Sequence, residues 1–272
     1  MIVVTGATGN VGGALVAALA AAGEQVTAVS RGDAGTLPSG VQHRPADLGD
    51  PASLQPAVTG ADALFLLVAG QNPAEILDVA KAGGVRRVVL LSSLGAMTRP
   101  EIYQHPHSFE QAVTASGLDW TVLRPGGFHT NAFAWTESVR SQRMAAAPFG
   151  DVGLPTIDPA DIAEVAAAVL RDAGHAGRAY ELTGPELTTP RQRAAAIGAA
   201  LGEPVRFAEQ TRDEAREQML RFMPEPVVEG TLTILGAPTA AEQGIGPDVE
   251  RILGRAPRSF ADWAVRMAPA FR

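Results

Sequence analysis

The feature that most constrains this chain is an alternation along its length. Strand-length runs that are apolar throughout, "MIVV" (1–4), "ALFLLVAG" (63–70) and "RRVVLLSS" (86–93), are separated by segments of helical periodicity. A half-buried strand alternates apolar and polar residues, whereas a wholly apolar one has both of its faces covered. Helices on both faces of a parallel sheet satisfy that demand. "QVTAVSR" (25–31), "VQHRPADL" (41–48), "LDWTVLRPGGF" (118–128) and "RAYELTG" (178–184) add further strands.

Helices are expected from Val11 to Ala22, stopped by Gly23, and briefly after Asp50–Pro51. They are expected again over 73–84, 106–117 and 131–142, then over 159–174 behind an Asp158–Pro159 start. Asp before Pro is a favourable entry, because the carboxylate caps the first turn and Pro lacks only an N–H that would be unpaired anyway. Further helices are expected around 190–201, 211–222 and 247–254. The fold class is α/β, a Rossmann-like doubly wound parallel sheet with a smaller, mainly helical C-terminal lobe. Residues 1–128, with later segments such as 156–183, would form the first unit and 129–272 the substrate lobe.

Composition narrows the function classes. There are no cysteines, so thiolate nucleophiles, disulfides and Cys-ligated metals are excluded, which fits a reducing cytoplasm. The formal net charge is −7 and no Lys/Arg-rich run occurs, so nucleic acid is not an expected partner. "ALVAALAAAG" and "ALFLLVAG" are too short to span a bilayer, and no basic segment precedes the first strand. A cytoplasmic monomer or homodimer, acting on a small molecule and not on a membrane, is the expectation.

Between the first strand and its helix lies "TGATGNVGG" (5–13), with glycines at Gly6, Gly9, Gly12 and Gly13. Glycine permits positive φ in a tight turn, and without a Cβ the backbone can approach a pyrophosphate closely. The following helix adds free N–H groups and the positive end of its dipole. Gly6, Thr8, Gly9, Asn10, Val11 and Gly12 are therefore candidate phosphate-loop residues. The second strand ends at Ser30 and Arg31 with no acid in the position that would hold a ribose 2′-OH. A guanidinium there suits a 2′-phosphate, so NADP(H) is expected over NAD(H), with Asp33 the residue that would spoil the reading by turning in.

With the loop, "SR", "ADL", "LLSS" and "LRPGGF" in view, the sequence resembles the atypical short-chain dehydrogenase/reductases, in particular the NmrA-like NAD(P)H-binding family. "SGLDWTVLRPGGFHTN", "IDPADIAEVAAAVL" and "YELTGPE" extend the resemblance nearly end to end. It implies that Asp47 and Leu48 contact the adenine and that Val68, Ala69 and Gly70 pass beneath a cofactor ribose. It also implies that Ser92 lies near the nicotinamide ribose and that Pro125, Gly126 and Phe128 flank the nicotinamide. The carboxyl ends of the strands are where an open α/β sheet binds its ligand in any case.

Reductases of this type pair a Tyr with a Lys four residues later, and here no Lys occurs in the region. "YQHPH" offers Tyr103 and His107 at that spacing, but Pro106 belongs in the first turn of a helix, which leaves Tyr103 in the loop before it. His107 falls where relatives carry Lys and can hydrogen-bond a ribose or donate a proton near neutral pH, so His107 and Tyr103 are the catalytic candidates. Glu110 is read as bracing this helix. His105 and His107 around a proline make a poor metal set, so no metal is expected. Ser92–Ser93 lack the G-x-S-x-G elbow of a hydrolase.

The aromatic patch after the sixth strand, Phe128, His129, Asn131, Phe133 and Trp135, could wall an apolar pocket together with Met97, Met144 and Phe149, or pack the smaller lobe. His129 and Asn131 are the polar residues placed to orient a carbonyl. The leading reading is an NADPH-dependent reductase of a small or medium hydrophobic carbonyl, enone, imine or quinone. The missing Tyr–Lys pair keeps two alternatives open: a non-catalytic NADP(H)-sensing regulator with a protein partner, and a non-redox, cofactor-assisted isomerase or cyclase.

Overall fold

The computed structural model describes residues 1–272. Its centre is a seven-stranded parallel sheet with the order β3-β2-β1-β4-β5-β6-β8. The first half comprises β1 (Ile2–Thr5), α1 (Gly12–Ala21), β2 (Val26–Ser30), β3 (Gln42–Pro45), α2 (Gln55–Val58), β4 (Ala63–Leu67), α3 (Pro73–Gly83) and β5 (Arg87–Leu91). It continues through α4 (Leu94–Thr98), α5 (Gln104–Ala115) and β6 (Asp119–Pro125). The second half holds α6 (Thr136–Gln142), β7 (Met144–Ala147), α7 (Pro159–Arg171), β8 (Arg178–Leu182), α8 (Pro190–Leu201) and β9 (Arg206–Glu209). It ends with α9 (Arg212–Met219), α10 (Glu225–Gly236), α11 (Asp248–Leu253) and α12 (Phe260–Met267).

Two apolar layers cover the sheet, as its all-apolar strands require. On one side α1 and α7 bury Leu15, Leu19, Ile162 and Val169 against Val4, Phe65 and Leu123. On the other, α3 and α5 bury Ile76, Leu77, Phe109 and Val113 against Leu64, Leu66 and Val88. The strand order reverses between β1 and β4, which opens a crevice at the carboxyl ends of the strands. A third core, with Trp135, Ile197, Phe260, Trp263 and Phe271, holds the C-terminal elements together.

Several boundaries differ from the sequence reading. The fourth strand ends at Leu67, so Val68, Ala69 and Gly70 form a loop beyond its carboxyl end, at the middle of the sheet. The helix expected from Pro106 begins at Gln104, with Tyr103 at its N-cap position. The first i→i−4 bond runs from the His107 N–H to Tyr103 O, so Pro106 gives up an N–H that has no helical acceptor. The segment expected as a helix over 131–142 starts as a 3₁₀ turn over His129–Trp135 before α6 begins. Asp50 occupies the N-cap position as expected, but its side chain caps nothing.

The elements α4, α10, α12 and the parallel pair β7–β9 lie outside the sequence expectation. In α10, Gly230 and β-branched residues mask the helical pattern, and the glycine is required because a Cβ there would lie 2.3 Å from Ile102. The β7–β9 pair joins "MAAA" to a distant "RFAE", and neither carries a local strand signal.

Ion pairs bind the C-terminal segments to the sheet unit. Arg99, beyond α4, forms a fork with Glu242 at 2.6 and 2.8 Å, and the Thr239 N–H donates to the same carboxylate. Burial alone would raise the Glu242 carboxyl, but Arg99 and Thr239 outweigh it and hold the group below its ordinary range. On α7, the fully buried Asp161 takes Arg255 and the Arg258 N–H at 2.7 Å each, and Asp158 takes Arg266.

Removing one partner of a buried pair leaves an uncompensated charge. Arg99→Met should therefore cost about 3 kcal/mol, and Arg99→Met with Glu242→Leu should regain more than half of it in urea unfolding. Equal losses in the single and double variants would show that the pair is not what ties this segment down.

Candidate functional site

The glycine loop is shaped by close backbone approach. Gly6 has φ +65°, and a Cβ on it would meet the Leu67 side chain at 2.0 Å. A Cβ on Gly12 would fall 2.1 Å from Gly6 O, so the first turn of α1 rests on the loop itself. The Gly9 N–H closes the turn on Gly6 O at 2.9 Å. Thr8, Gly9 and Asn10 are exposed above it, while Val11 is buried as the hydrophobic anchor of the helix. A wall without side chains at a helix N-terminus fits a dinucleotide pyrophosphate.

The neighbouring strand ends meet in the same manner. Gly70 has φ +81° and packs on Leu48 O, which a Cβ would approach to 2.1 Å. Leu48 is buried, and the exposed Asp47 folds its carboxylate onto the Gly49 N–H at 2.9 Å. Beyond β2, Arg31 is exposed and bonds to no carboxylate, and Asp33 turns away onto the Gly35 N–H at 3.0 Å. Ser30 Oγ donates to Gly32 O at 2.7 Å and lies 2.9 Å from His43 Nε2. His43 carries no signal in the sequence, because only the strand pairing of β2 with β3 brings it beside Ser30.

Across the crevice, Ser92 Oγ donates to Glu110 Oε1 at 2.6 Å. The same carboxylate, 6% exposed, accepts a fork from Arg124 at 3.1 and 2.7 Å. Glu110 thus locks the Ser92 hydroxyl to β6, a more specific role than bracing its own helix. Arg124 has no mark in the sequence beyond being a charge in an apolar strand. A Cβ on Gly126 would lie 2.9 Å from Pro155 O, so the two backbones pack directly, and Phe128 pairs with Ile157. Asn10 Nδ2 donates to Thr130 Oγ1 at 3.3 Å, so the phosphate loop reaches the segment that follows β6.

Tyr103 and His107 are not brought together. The Tyr103 ring lies against Gly95, and its hydroxyl is 3.4 Å from Thr231 Oγ1 on α10. His107 Nε2 is 3.1 Å from Gln111 Nε2, while its Nδ1 is buried without a partner. His105, considered above only as a metal ligand, places Nε2 2.7 Å from Gly70 O.

The aromatic patch divides. His129 is 1% exposed, with Nε2 donating to Thr156 O at 3.0 Å and its ring 5.1 Å from Phe260. It is a core histidine and does not face a substrate, which corrects the expectation that it orients a carbonyl. Trp135 donates Nε1–H to Ala146 O at 2.8 Å, and Phe133 packs 5.2 Å from Trp263, so both build the third core. Phe149, at φ +55°, packs on Gly236 beneath α10. Asn131 is exposed, and Met97 is half-buried beside the α4 turn.

Comparison with known proteins agrees with this geometry. Residues 6–173 match the model of a family described as NAD(P)H-binding. The chain belongs to that family. It is 38% identical, over 100% of its length and 99% of the relative's, to a (4-alkanoyl-5-oxo-2,5-dihydrofuran-3-yl)methyl phosphate reductase from Streptomyces griseus. It is 32% identical, over 100% and 99%, to an NAD(P)H azoreductase from Xenophilus azovorans. An NADPH-dependent quinone oxidoreductase from Escherichia coli superposes with a TM-score of 0.82 at 26% identity, covering 98% of this chain and 99% of that one. The chain is accordingly an NAD(P)H-dependent oxidoreductase with the family's Rossmann-like fold. No helix is long and apolar enough to cross a membrane.

Burial lowers the His129 pKa from 6.5 to about 4, against the opposing attraction of Asp158. The unfolded imidazole takes up its proton near 6.5, whereas the folded one stays neutral down to about 4. Stability should therefore fall as pH drops through that window, by about 3 kcal/mol in all. His129→Leu should flatten this part of the stability profile, and an unchanged profile would show that another group sets it.

Proposed function

We propose that the chain is an NADPH-dependent reductase of small, apolar, conjugated acceptors, namely enones, quinones and related carbonyls or imines. The observation that carries the reading is a dinucleotide cradle without a tyrosine–lysine acid couple. The sequence's one lysine, Lys81, pairs with Asp78 at 2.9 Å on the outer face of α3. The Tyr103 hydroxyl meets only Thr231 Oγ1, at 3.4 Å, and no lysine partners it. Reduction of an isolated ketone leaves an alkoxide, a strong base that requires a placed acid. Reduction of a conjugated acceptor leaves an enolate or hydroquinone anion whose charge is already spread, so water or a weakly placed donor suffices.

The residues divide the work by position. Gly6, Thr8, Gly9, Asn10, Val11 and Gly12 hold the pyrophosphate with backbone N–H groups. Arg31, free of any ion pair, takes the 2′-phosphate, with Ser30 and His43 beside it. Asp47 and Leu48 border the adenine, and Val68, Ala69 and Gly70 run beneath the ribose. Ser92, oriented by Glu110, and His107, through its orphaned Nδ1, serve the nicotinamide ribose. Pro125, Gly126 and Phe128 flank the ring. When bound, the nicotinamide supplies the reducing equivalent, and the protein supplies position and a dry surface. The three relatives' names describe an alkene conjugated to carbonyls, an azo bond and a quinone, each a conjugated acceptor.

Loss of reduced-nicotinamide absorbance, followed with enones, quinones, imines and simple ketones, tests the reading. Turnover is expected with conjugated acceptors at rates far above simple ketones. Tight NADPH binding with no turnover on any acceptor would sink it. Arg31→Ala should raise the NADPH KM about 10- to 100-fold and leave NADH nearly unchanged, since a charge-assisted phosphate contact is what it removes. Equal effects on both cofactors would remove Arg31 from the 2′-phosphate site. Tyr103→Phe should leave kcat within about twofold if the donor is not this phenol.

A further inference from the structure

Every buried carboxylate near the cleft has a cation, but one buried cation has no carboxylate. Arg193, in the first turn of α8, is 9% exposed. Its Nε is buried without a hydrogen-bond partner, and its guanidinium forms no ion pair. The guanidinium lies over the Trp135 ring, whose centroid is 6.0 Å away. Arg191, in the same turn, is by contrast held by Asp151 at 2.9 Å and Glu209 at 3.3 Å. The position adds to the cost, because the N-terminal turn of a helix is the positive end of its dipole. The turn's own amides are already used: Gln192 N–H on Thr189 Oγ1, Arg191 N–H on Gly150 O and Arg193 N–H on Thr189 O.

Burial lowers the Arg193 pKa to about 10, which still leaves the side chain charged at neutral pH. A buried, charged and unpaired guanidinium is unfavourable unless an anion completes it. Its surroundings connect it to the phosphate loop through one segment. Trp135 belongs to the 3₁₀ segment that follows Phe128, and Thr130 of that segment holds Asn10 of the phosphate loop. His129, also of that segment, is neutral and offers no negative charge, and it feels Arg193 as a repelling neighbour.

We propose that Arg193 is the anchor for a phosphate monoester carried by the substrate, so that the acceptor enters with its anionic tail directed into the corner formed by α8 and the 129–135 segment. The proposal rests on the reductase reading for the substrate's other end. The guanidinium fork matches two phosphate oxygens, and a dianion supplies the missing counter-charge without a protein carboxylate. Thr156 and Thr188, whose hydroxyls pair at 3.2 Å beside this corner, could exchange that bond for the same phosphate.

Two measurements on NADPH-saturated protein test this, the cofactor filling its own phosphate sites first. In calorimetric titration, phenyl phosphate should bind the wild type and phenol should not; Arg193→Met should weaken phenyl phosphate about 10- to 100-fold and Arg193→Lys by less. Inorganic phosphate should compete with phenyl phosphate, which separates a phosphate site from an aromatic one. In turnover, a butenolide acceptor bearing a methyl phosphate should have a KM well below its hydroxymethyl counterpart, and Arg193→Met should erase that ratio. Arg193→Met should melt no lower than the wild type, since it removes an unpaired buried charge. Absence of phenyl phosphate binding to the wild type, or an Arg193→Met variant that keeps the KM ratio, overturns the proposal. Failure of every acceptor to turn over would refute the reductase reading instead, while the titration would still decide the anion site.

Discussion

The site depends on backbone meeting backbone where no side chain fits. Four such approaches lie at carboxyl ends of the strands: Gly12 on Gly6 O, Gly70 on Leu48 O, Gly126 toward Pro155 O and Gly184 on Thr156 O. Each would be blocked by a Cβ, and together they let the loops after β1, β3, β4, β6 and β8 close to a common floor. Because the sheet reverses its order between β1 and β4, that floor opens as a crevice and is not covered by the next helix. The glycine loop and the crevice beside it are therefore consequences of one steric condition repeated along the sheet.

Above that floor, charge does the positioning. Glu110 joins Ser92 to Arg124, Glu242 holds Arg99, and Asp161 gathers Arg255 and Arg258. Buried ion pairs contribute little net stability, but each fixes the geometry of segments that are distant in sequence, because a misplaced partner would leave a charge bare. In this chain Glu110 fastens α5 to β6, while the Arg99 and Asp161 pairs fasten the segment after α4, and α7, to C-terminal segments. Arg193 departs from the pattern, because it is buried with no carboxylate beside it.

The aromatic patch shows where a sequence pattern loses its meaning. "GGFHTNAFAW" reads equally well as a pocket wall and as core, since both require apolar surface. Only the packing of α12 against this segment, with Phe260 and Trp263 meeting His129, assigned the histidine to the interior. The α12 start is in fact marked by Ser259 and Asp262, which form a reciprocal cap, but a short capped helix says nothing of what it will cover.

The sequence alone determined the parallel α/β sheet, most of the helices that flank it, the glycine loop and an arginine at the end of β2. These follow from local rules: period, capping and the absence of a Cβ act over a few residues and need no distant partner. Tertiary structure decided the rest, including that Asp33 turns away from Arg31. His43 reaches Ser30 through strand pairing, Glu110 reaches Ser92 and Arg124 through helix-on-sheet packing, and Tyr103 turns toward Thr231 because α10 lies over it. Whether a polar side chain is a ligand, a brace or an unpaired charge depends on neighbours brought from far along the chain, and no local pattern specifies who those neighbours will be.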